Sequence, residues 1–277
     1  MPNKQTANAK INLCLHVTGQ QVDGYHLLDS LVVFADYGDA LTFVDADEFS
    51  VSIDGPFGAG LDGGSDNLIT RAGVALGERG AAVELTKNLP ISSGIGGGSA
   101  DAAATLRGLS ALWNVDIPDD LGLSLGADVP VCLAGRSVRM HGVGEQLEPI
   151  DFLPAMPAIL VNAGDAVSTP TVFSALSAKQ NDPIGALPTE PLNFQQAVTY
   201  LAGLRNDLQA PATAISPNIA DVLDVMNQDA VLARMSGSGA TCFGLYENIS
   251  MAQTAAEKIA VQHPNWWVQA VTLNARG

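Results

Sequence analysis

Residues 89–112 read LPISSGIGGGSADAAATLRGLSAL, and the fold turns on how that stretch is understood. Four of the five residues 94–98 are glycine. Glycine lets backbone N–H groups approach a ligand closely and reaches dihedrals closed to other residues. Ala102, Leu106, Leu109 and Leu112 then recur at three- and four-residue steps, which predicts a helix with one buried face. A helix start leaves N–H groups unpaired and carries about half a positive charge. A glycine turn feeding such a start is an anion site, most often for phosphate. It is not a P-loop, because no lysine follows the glycines. It is not a dinucleotide fingerprint either: counted from Gly94 the last glycine position is Ser99, and counted from Gly96 it is Asp101. A flexible linker would share the glycines but would not run straight into a helix.

The chain around this stretch has 277 residues, 47% of them hydrophobic, enough for one large or two modest domains. Its formal charge of −16 opposes nucleic acid and anionic membranes, so neither is expected as a partner. A local helix start can still bind a phosphorylated ligand against that field. Cys14, Cys132 and Cys242 are widely spaced in apolar runs, without metal-ligand spacing, and read as buried free thiols of a reducing cytoplasm. No apolar run approaches the length of about 18 residues that a membrane helix needs, and the start of the chain lacks the apolar core of a signal peptide.

Upstream, residues 9–17 alternate as a strand, with Ile11, Leu13, Leu15 and Val17 on one face and Lys10, Asn12, Cys14 and His16 on the other. By itself Lys10 is a solvated strand charge. Asp23-Gly24-Tyr25-His26 is a turn, strands are expected at 27–34, 40–45 and 82–86, and a helix at 67–77. Downstream, a helical piece starts at Pro118, and Asp128 sits in the turn before an expected strand at 131–134, locally a turn or capping aspartate. A hairpin follows at 137–140 and 145–150, then a strand at 158–162. Further helices are expected at 169–176, with Thr169 as cap, at 193–204 and at 218–226. Met235-Ser236-Gly237-Ser238-Gly239-Ala240-Thr241 is a second glycine turn. The tail reads strand 242–246, a helix to 262 with a Ser250/Gln253 capping box, and strand 267–273, a β-α-β unit of the kind found in ferredoxin-like layers.

Taken in order, Ala9-Lys10-Ile11-Asn12-Leu13, Asp23-Gly24-Tyr25-His26, Pro90 with Gly94-Ile95-Gly96-Gly97-Gly98-Ser99-Ala100, Gly126-Ala127-Asp128-Val129-Pro130 and Ser236-Gly237-Ser238-Gly239-Ala240 resemble the GHMP kinases over nearly the whole chain. The Lys-Ile-Asn start and the Asp-Gly-Tyr-His turn are most similar to the branch that acts on a cytidylated methylerythritol in non-mevalonate isoprenoid synthesis. The resemblance implies an α+β, two-domain GHMP-kinase fold. A ribosomal protein S5 domain 2-like ATP-binding domain would span 1–154 and a ferredoxin-like domain 155–277, with a substrate cleft between them. It implies a cytoplasmic monomer or homodimer that phosphorylates a hydroxyl with ATP and Mg²⁺.

Residue by residue, the resemblance makes Lys10 and Asp128 catalytic. Asp128 would accept the proton of the attacking hydroxyl, and Lys10 would hold Asp128 as a carboxylate and offset charge developing on the γ-phosphate. Pro90, Gly94, Ile95, Gly96, Gly97, Gly98, Ser99 and Ala100 would cradle ATP. Asn12 would orient the acceptor, Tyr25 and Phe173 would sandwich the cytosine, and His26 would bond its polar edge. Tyr25 and Phe173 are otherwise simple packing residues. Gly237, Ser238 and Gly239 would close over substrate or phosphate. No metal ligand is identifiable beyond Asp128, with Ser99 and Asp101 as candidates. The segment between Trp113 and Gly126 is about one helical turn shorter than the family's. A homoserine- or mevalonate-type kinase would not need the Tyr25, His26 and Phe173 set, and a silent GHMP-fold sensor would not need Lys10 and Asp128.

Overall fold

The computed structural model describes residues 3–77 and 79–275. In chain order it holds β1 (Asn3–Gln20), β2 (His26–Asp45), β3 (Phe49–Asp54), α1 (Leu68–Leu76), β4 (Ala81–Thr86), α2 (Gly97–Trp113), α3 (Leu121–Leu125), α4 (Val129–Ala134), β5 (Val138–Gly142) and β6 (Gln146–Pro149). It continues with β7 (Met156–Asn162), α5 (Thr169–Ser174), α6 (Phe194–Ala202), α7 (Gln209–Ile215), α8 (Asn218–Met226), β8 (Leu232–Met235), β9 (Cys242–Leu245), α9 (Ile249–Gln262) and β10 (Trp267–Leu273). The chain divides into two compact units that interleave in sequence. The first takes the chain up to Lys10, Tyr37–Ile91 and Gly96–Gly135; the second takes Ile11–Asp36, Ser92–Ile95 and the rest from Arg136.

In the first unit β4 lies between β2, antiparallel with Leu41 opposite Leu85, and β3, parallel with Val51 opposite Val83. Ala81, Val83 and Leu85 alternate into the core, as period-two patterning requires. Helix α2 is enclosed on almost every side: Ala100 to Ala104, Leu106, Gly108 and Leu109 are buried, while Leu112 is only half-buried. The expectation of one buried face is corrected here, because alanines are small enough to bury on faces where the leucine spacing is silent. At Gly108 a Cβ would lie 2.3 Å from the Phe43 ring, so this glycine admits β2 against the helix. Residues 129–134 are helix α4, not the expected strand. Pro130 occupies its first turn, where a missing N–H costs nothing, and Gly135 ends it at φ +59°. Strand β2 does not break between 34 and 40. Gly38 there marks close strand approach rather than a turn, since a Cβ would sit 2.1 Å from the Ala7 carbonyl oxygen.

The second unit contains the strand order β10-β7-β9-β8, every neighbour antiparallel. With helices after β7 and with α9 between β9 and β10, this is the β-α-β-β-α-β ferredoxin-like arrangement, so the β-α-β tail is its second half. The β5–β6 hairpin forms as expected, and β5 also pairs with β2, Leu31 opposite Arg139. Buried Arg234 donates to the carbonyls of Leu13, Leu201 and Leu204, satisfying an interior charge with three acceptors. Two caps differ from expectation. Asn248, not Ser250, caps α9 by accepting from the Met251 N–H, and Ser168 rather than Thr169 stands at the cap of α5.

Candidate active site

In the first unit Lys10 Nζ and Asp128 Oδ2 are 3.0 Å apart, although 118 positions separate them in sequence. The lysine side chain is 5% exposed and the aspartate 36%, so the pair has a buried cation and a reachable carboxylate. Asp128 precedes α4 but its side chain caps nothing. Its local reading as a capping residue is thereby corrected: with Pro130 in the first turn, one potential N–H donor is missing, and the carboxylate meets Lys10 instead. The Lys10 stem lies beneath Gly96, where an added Cβ would come 3.2 Å from Lys10 Cε and 3.9 Å from Cys132 Sγ. Gly96 stands at φ +67° as the residue before α2, and no side chain caps that helix. The first-turn N–H groups at Gly97, Gly98 and Ser99 therefore remain available as anion donors. Gly98 is exposed and Ser99 half-buried, whereas Ala100 is buried.

In the second unit the other end of the loop and the second glycine turn meet. Gly94 takes φ +76°, and a Cβ there would lie 2.6 to 2.7 Å from backbone atoms of Gly239 and Ser236. The Ser236 hydroxyl donates to the Gly94 carbonyl and accepts from the Asn12 N–H, and the Thr241 N–H donates to the Ser93 carbonyl. Asn12 Nδ2 donates to Ser30 Oγ at 2.8 Å, so the side chain is oriented from beneath. The turn is held from its other side by Asn206, which donates to the carbonyls of Met235 and Gly237. Ser238 and Thr169 join their hydroxyls at 2.7 Å. Gly94→Ala combines a backbone clash with a left-handed dihedral. It is expected to destabilise the protein by about 1–3 kcal/mol, read as a lower urea midpoint at unchanged slope.

Also in this unit, His26 stacks on Phe173 with ring centroids 4.9 Å apart and planes at 25°. His26 Nε2 is buried and has no hydrogen-bond partner among the described residues. Burial, then the Lys179 charge, lowers the His26 pKa, so the ring is neutral near pH 7. Tyr25 is 67% exposed, an aromatic face presented to solvent. Phe173 thus faces His26 directly.

Among the described residues no group of three His, Cys, Asp or Glu side chains could hold a metal ion. Asp101 is committed elsewhere, 2.7 Å from Lys87 Nζ in a buried ion pair. The three cysteines are free and buried, and burial pushes the Cys14 and Cys132 thiols up to about 12. Lys87, Asp39 and Asn206 escaped the reading of the sequence. Asp39 and Lys87 look like ordinary strand-end charges, and nothing local marks Asn206 as buried.

No described helix is long and apolar enough to cross a membrane. The N-terminal domain model of the GHMP kinases matches residues 67–137, and the C-terminal domain model residues 191–264. A 4-diphosphocytidyl-2-C-methyl-D-erythritol kinase of Cereibacter sphaeroides (strain ATCC 17025) is 50% identical, over 95% of this chain and 96% of the relative. The protein of that name from Ruegeria pomeroyi is 53% identical, over 94% and 95%. A crystal structure of 4-(cytidine 5'-diphospho)-2C-methyl-D-erythritol kinase superposes at TM-score 0.81 with 33% identity, covering 99% of this chain and 100% of that one. A homoserine kinase from Cytophaga hutchinsonii shares the fold at TM-score 0.66 and 20% identity. End-to-end identity at this level, on a fold and motif order that already match, places the chain in the GHMP kinases, within the 4-diphosphocytidyl-2-C-methyl-D-erythritol kinase family.

Proposed function

We propose that this protein transfers the γ-phosphoryl group of ATP to the 2-hydroxyl of 4-diphosphocytidyl-2-C-methyl-D-erythritol. The observation that carries this reading is the identity of about half of all positions to relatives of that name over nearly the full length of both chains. Phosphoryl transfer asks a protein mainly for positioning and charge stabilisation. The first-turn N–H groups of α2 receive the ATP phosphates. Asp128 takes the hydroxyl proton as the oxygen attacks phosphorus, and the Lys10 ammonium offsets negative charge on the transferring group. Asn12 orients the acceptor hydroxyl. Mg²⁺ would accompany ATP, an ion that commonly binds through substrate phosphates with one or two carboxylates; Asp128 is the carboxylate beside the proposed phosphate site. The ion's chemistry there is neutralisation of phosphate charge.

For the cytosine, the exposed Tyr25 ring supplies a stacking face, and the buried, unpartnered His26 Nε2 supplies a polar atom for the base edge. Tyr25→Ala is expected to raise KM for the cytidylated substrate about tenfold, because base stacking contributes roughly 1–3 kcal/mol. KM for ATP should stay within twofold; equal shifts in both would remove Tyr25 from this role. Three buried free thiols support a reducing, cytoplasmic setting.

ADP release measured with ATP and, in turn, the cytidylated substrate, homoserine and mevalonate tests the assignment. Turnover with the cytidylated substrate alone is expected. Turnover with homoserine but not with that substrate would overturn it. The solved homoserine and mevalonate kinases resemble this chain at 13–20% identity, which speaks for shared fold only.

A further inference from the structure

Three buried charges outside the Lys10–Asp128 pair have no part in the chemistry above. Lys87, the residue after β4, is 4% exposed; Asp39 in β2 is 0% exposed and Asp101 in α2 is 4% exposed. Lys87 Nζ donates to Asp39 Oδ2 and, at 2.7 Å, to Asp101 Oδ2. Asp39 uses its other oxygen to accept two backbone N–H groups, Asn88 at 2.6 Å and Leu89 at 2.8 Å. Asn88 Nδ2 in turn donates to the Gly38 carbonyl. These bonds seize the segment that leads into the glycine loop, while Asp101 stands one turn into the helix that leads out of it. The Lys87 ammonium also lies against the helix start, 3.2 Å from where a Cβ on Gly97 would be.

Burying three charges is costly and is not by itself a route to stability. A packed apolar cluster would serve a merely structural purpose as well. What the ions add is directional bonds that fix both ends of the loop at once. We propose that Lys87, with Asp39 and Asp101, forms a positioning clamp that fixes the first-turn N–H groups of α2 in the geometry that binds the ATP phosphates. The clamp acts through the loop and does not touch the nucleotide. Asp101 Oδ1 is buried without a hydrogen-bond partner among the described residues. Burial, against the pull of the Lys87 charge, pushes the Asp101 carboxyl up to about 7. A cluster of one cation and two carboxylates thus need not carry a full negative charge beneath a phosphate site. The proposal rests on the reading of α2 as the ATP site.

The test compares four chains: wild type, Asp39→Asn, Asp101→Ala and Asp101→Asn. Asp39→Asn keeps volume and the carbonyl that accepts from Asn88 and Leu89, but turns a donor toward Lys87. Asp101→Ala frees the helix end. For Asp39→Asn and Asp101→Ala, KM for ATP and the dissociation constant for ADP are expected to rise at least tenfold. KM for the acceptor should stay within twofold and kcat at saturating ATP within a few-fold. Asp101→Asn, which can turn its carbonyl to Lys87, should restore ATP KM to within a few-fold of wild type. Folded Asp39→Asn and Asp101→Ala chains with wild-type ATP KM would overturn the clamp. So would a fall in folded fraction and in kcat with both KM values unchanged, or failure of both variants to fold, since the cluster would then serve stability alone. A wild-type chain that binds neither ATP nor ADP would instead overturn the ATP site itself.

Discussion

Asp128→Asn is expected to lower kcat by about 10²–10⁴-fold, the contribution typical of a positioned general base. The substitution keeps the size of the side chain and removes its charge, and with it the ability to take a proton. Asp128 lies at the side of Lys10 with about a third of its side chain open, so a hydroxyl can reach it without displacement of the core. It caps no helix, so loss of the charge removes no backbone partner. ADP binding, followed by titration, should therefore remain within a few-fold of wild type, and thermal stability should change little. The pairing of collapsed turnover with retained nucleotide binding is the decisive signature. Turnover within a few-fold of the wild-type chain would take Asp128 out of the base role and leave it as an ion-pair partner only.

Lys10→Met is the second large effect, expected to cost about 10²–10³-fold in kcat, the range seen when one preorganised donor to a developing anion is removed. Methionine preserves most of the stem volume beneath Gly96 and beside Cys132, so the fold should persist. Lys10→Arg should not restore activity. Space above the stem is limited, since even a Cβ added at Gly96 would come 3.2 Å from Lys10 Cε, and the guanidinium is wider and planar where the ammonium is a compact point charge. The measurement is single-turnover transfer from ATP with the acceptor saturating, which isolates chemistry from binding. A rate within tenfold of wild type would mean that Lys10 serves only to hold Asp128.

Much of the candidate site was legible because motif chemistry is local. Positive dihedrals at Gly94 and Gly96, and the uncapped start of α2, follow from the run of glycines at 94–98. Lys10 and Asp128 could be singled out only through their setting in motifs; taken alone, one reads as a strand charge and the other as a cap. The errors have local causes too. Residues 129–134 carry the apolar run of a strand, but a proline at the start and a glycine at the end favour one short helical turn. The expected strands at 27–34 and 40–45 are one continuous β2, because Gly38 lets β1 lie against it.

By itself the amino-acid sequence determined the glycine turns, the uncapped helix start behind them, the β-α-β tail and the order of motifs that marks a GHMP kinase. Each depends on neighbours within a few positions, where dihedral preference and periodicity act directly. Only the tertiary structure decided that Lys10 meets Asp128, that Asp101 is spent on Lys87 and so is no free metal ligand, and that Asn206 holds the second glycine turn. These are pairings of single polar side chains across 14 to 118 positions. A buried charge or amide finds its partner through the packing of whole elements, and no spacing in the sequence encodes that distance.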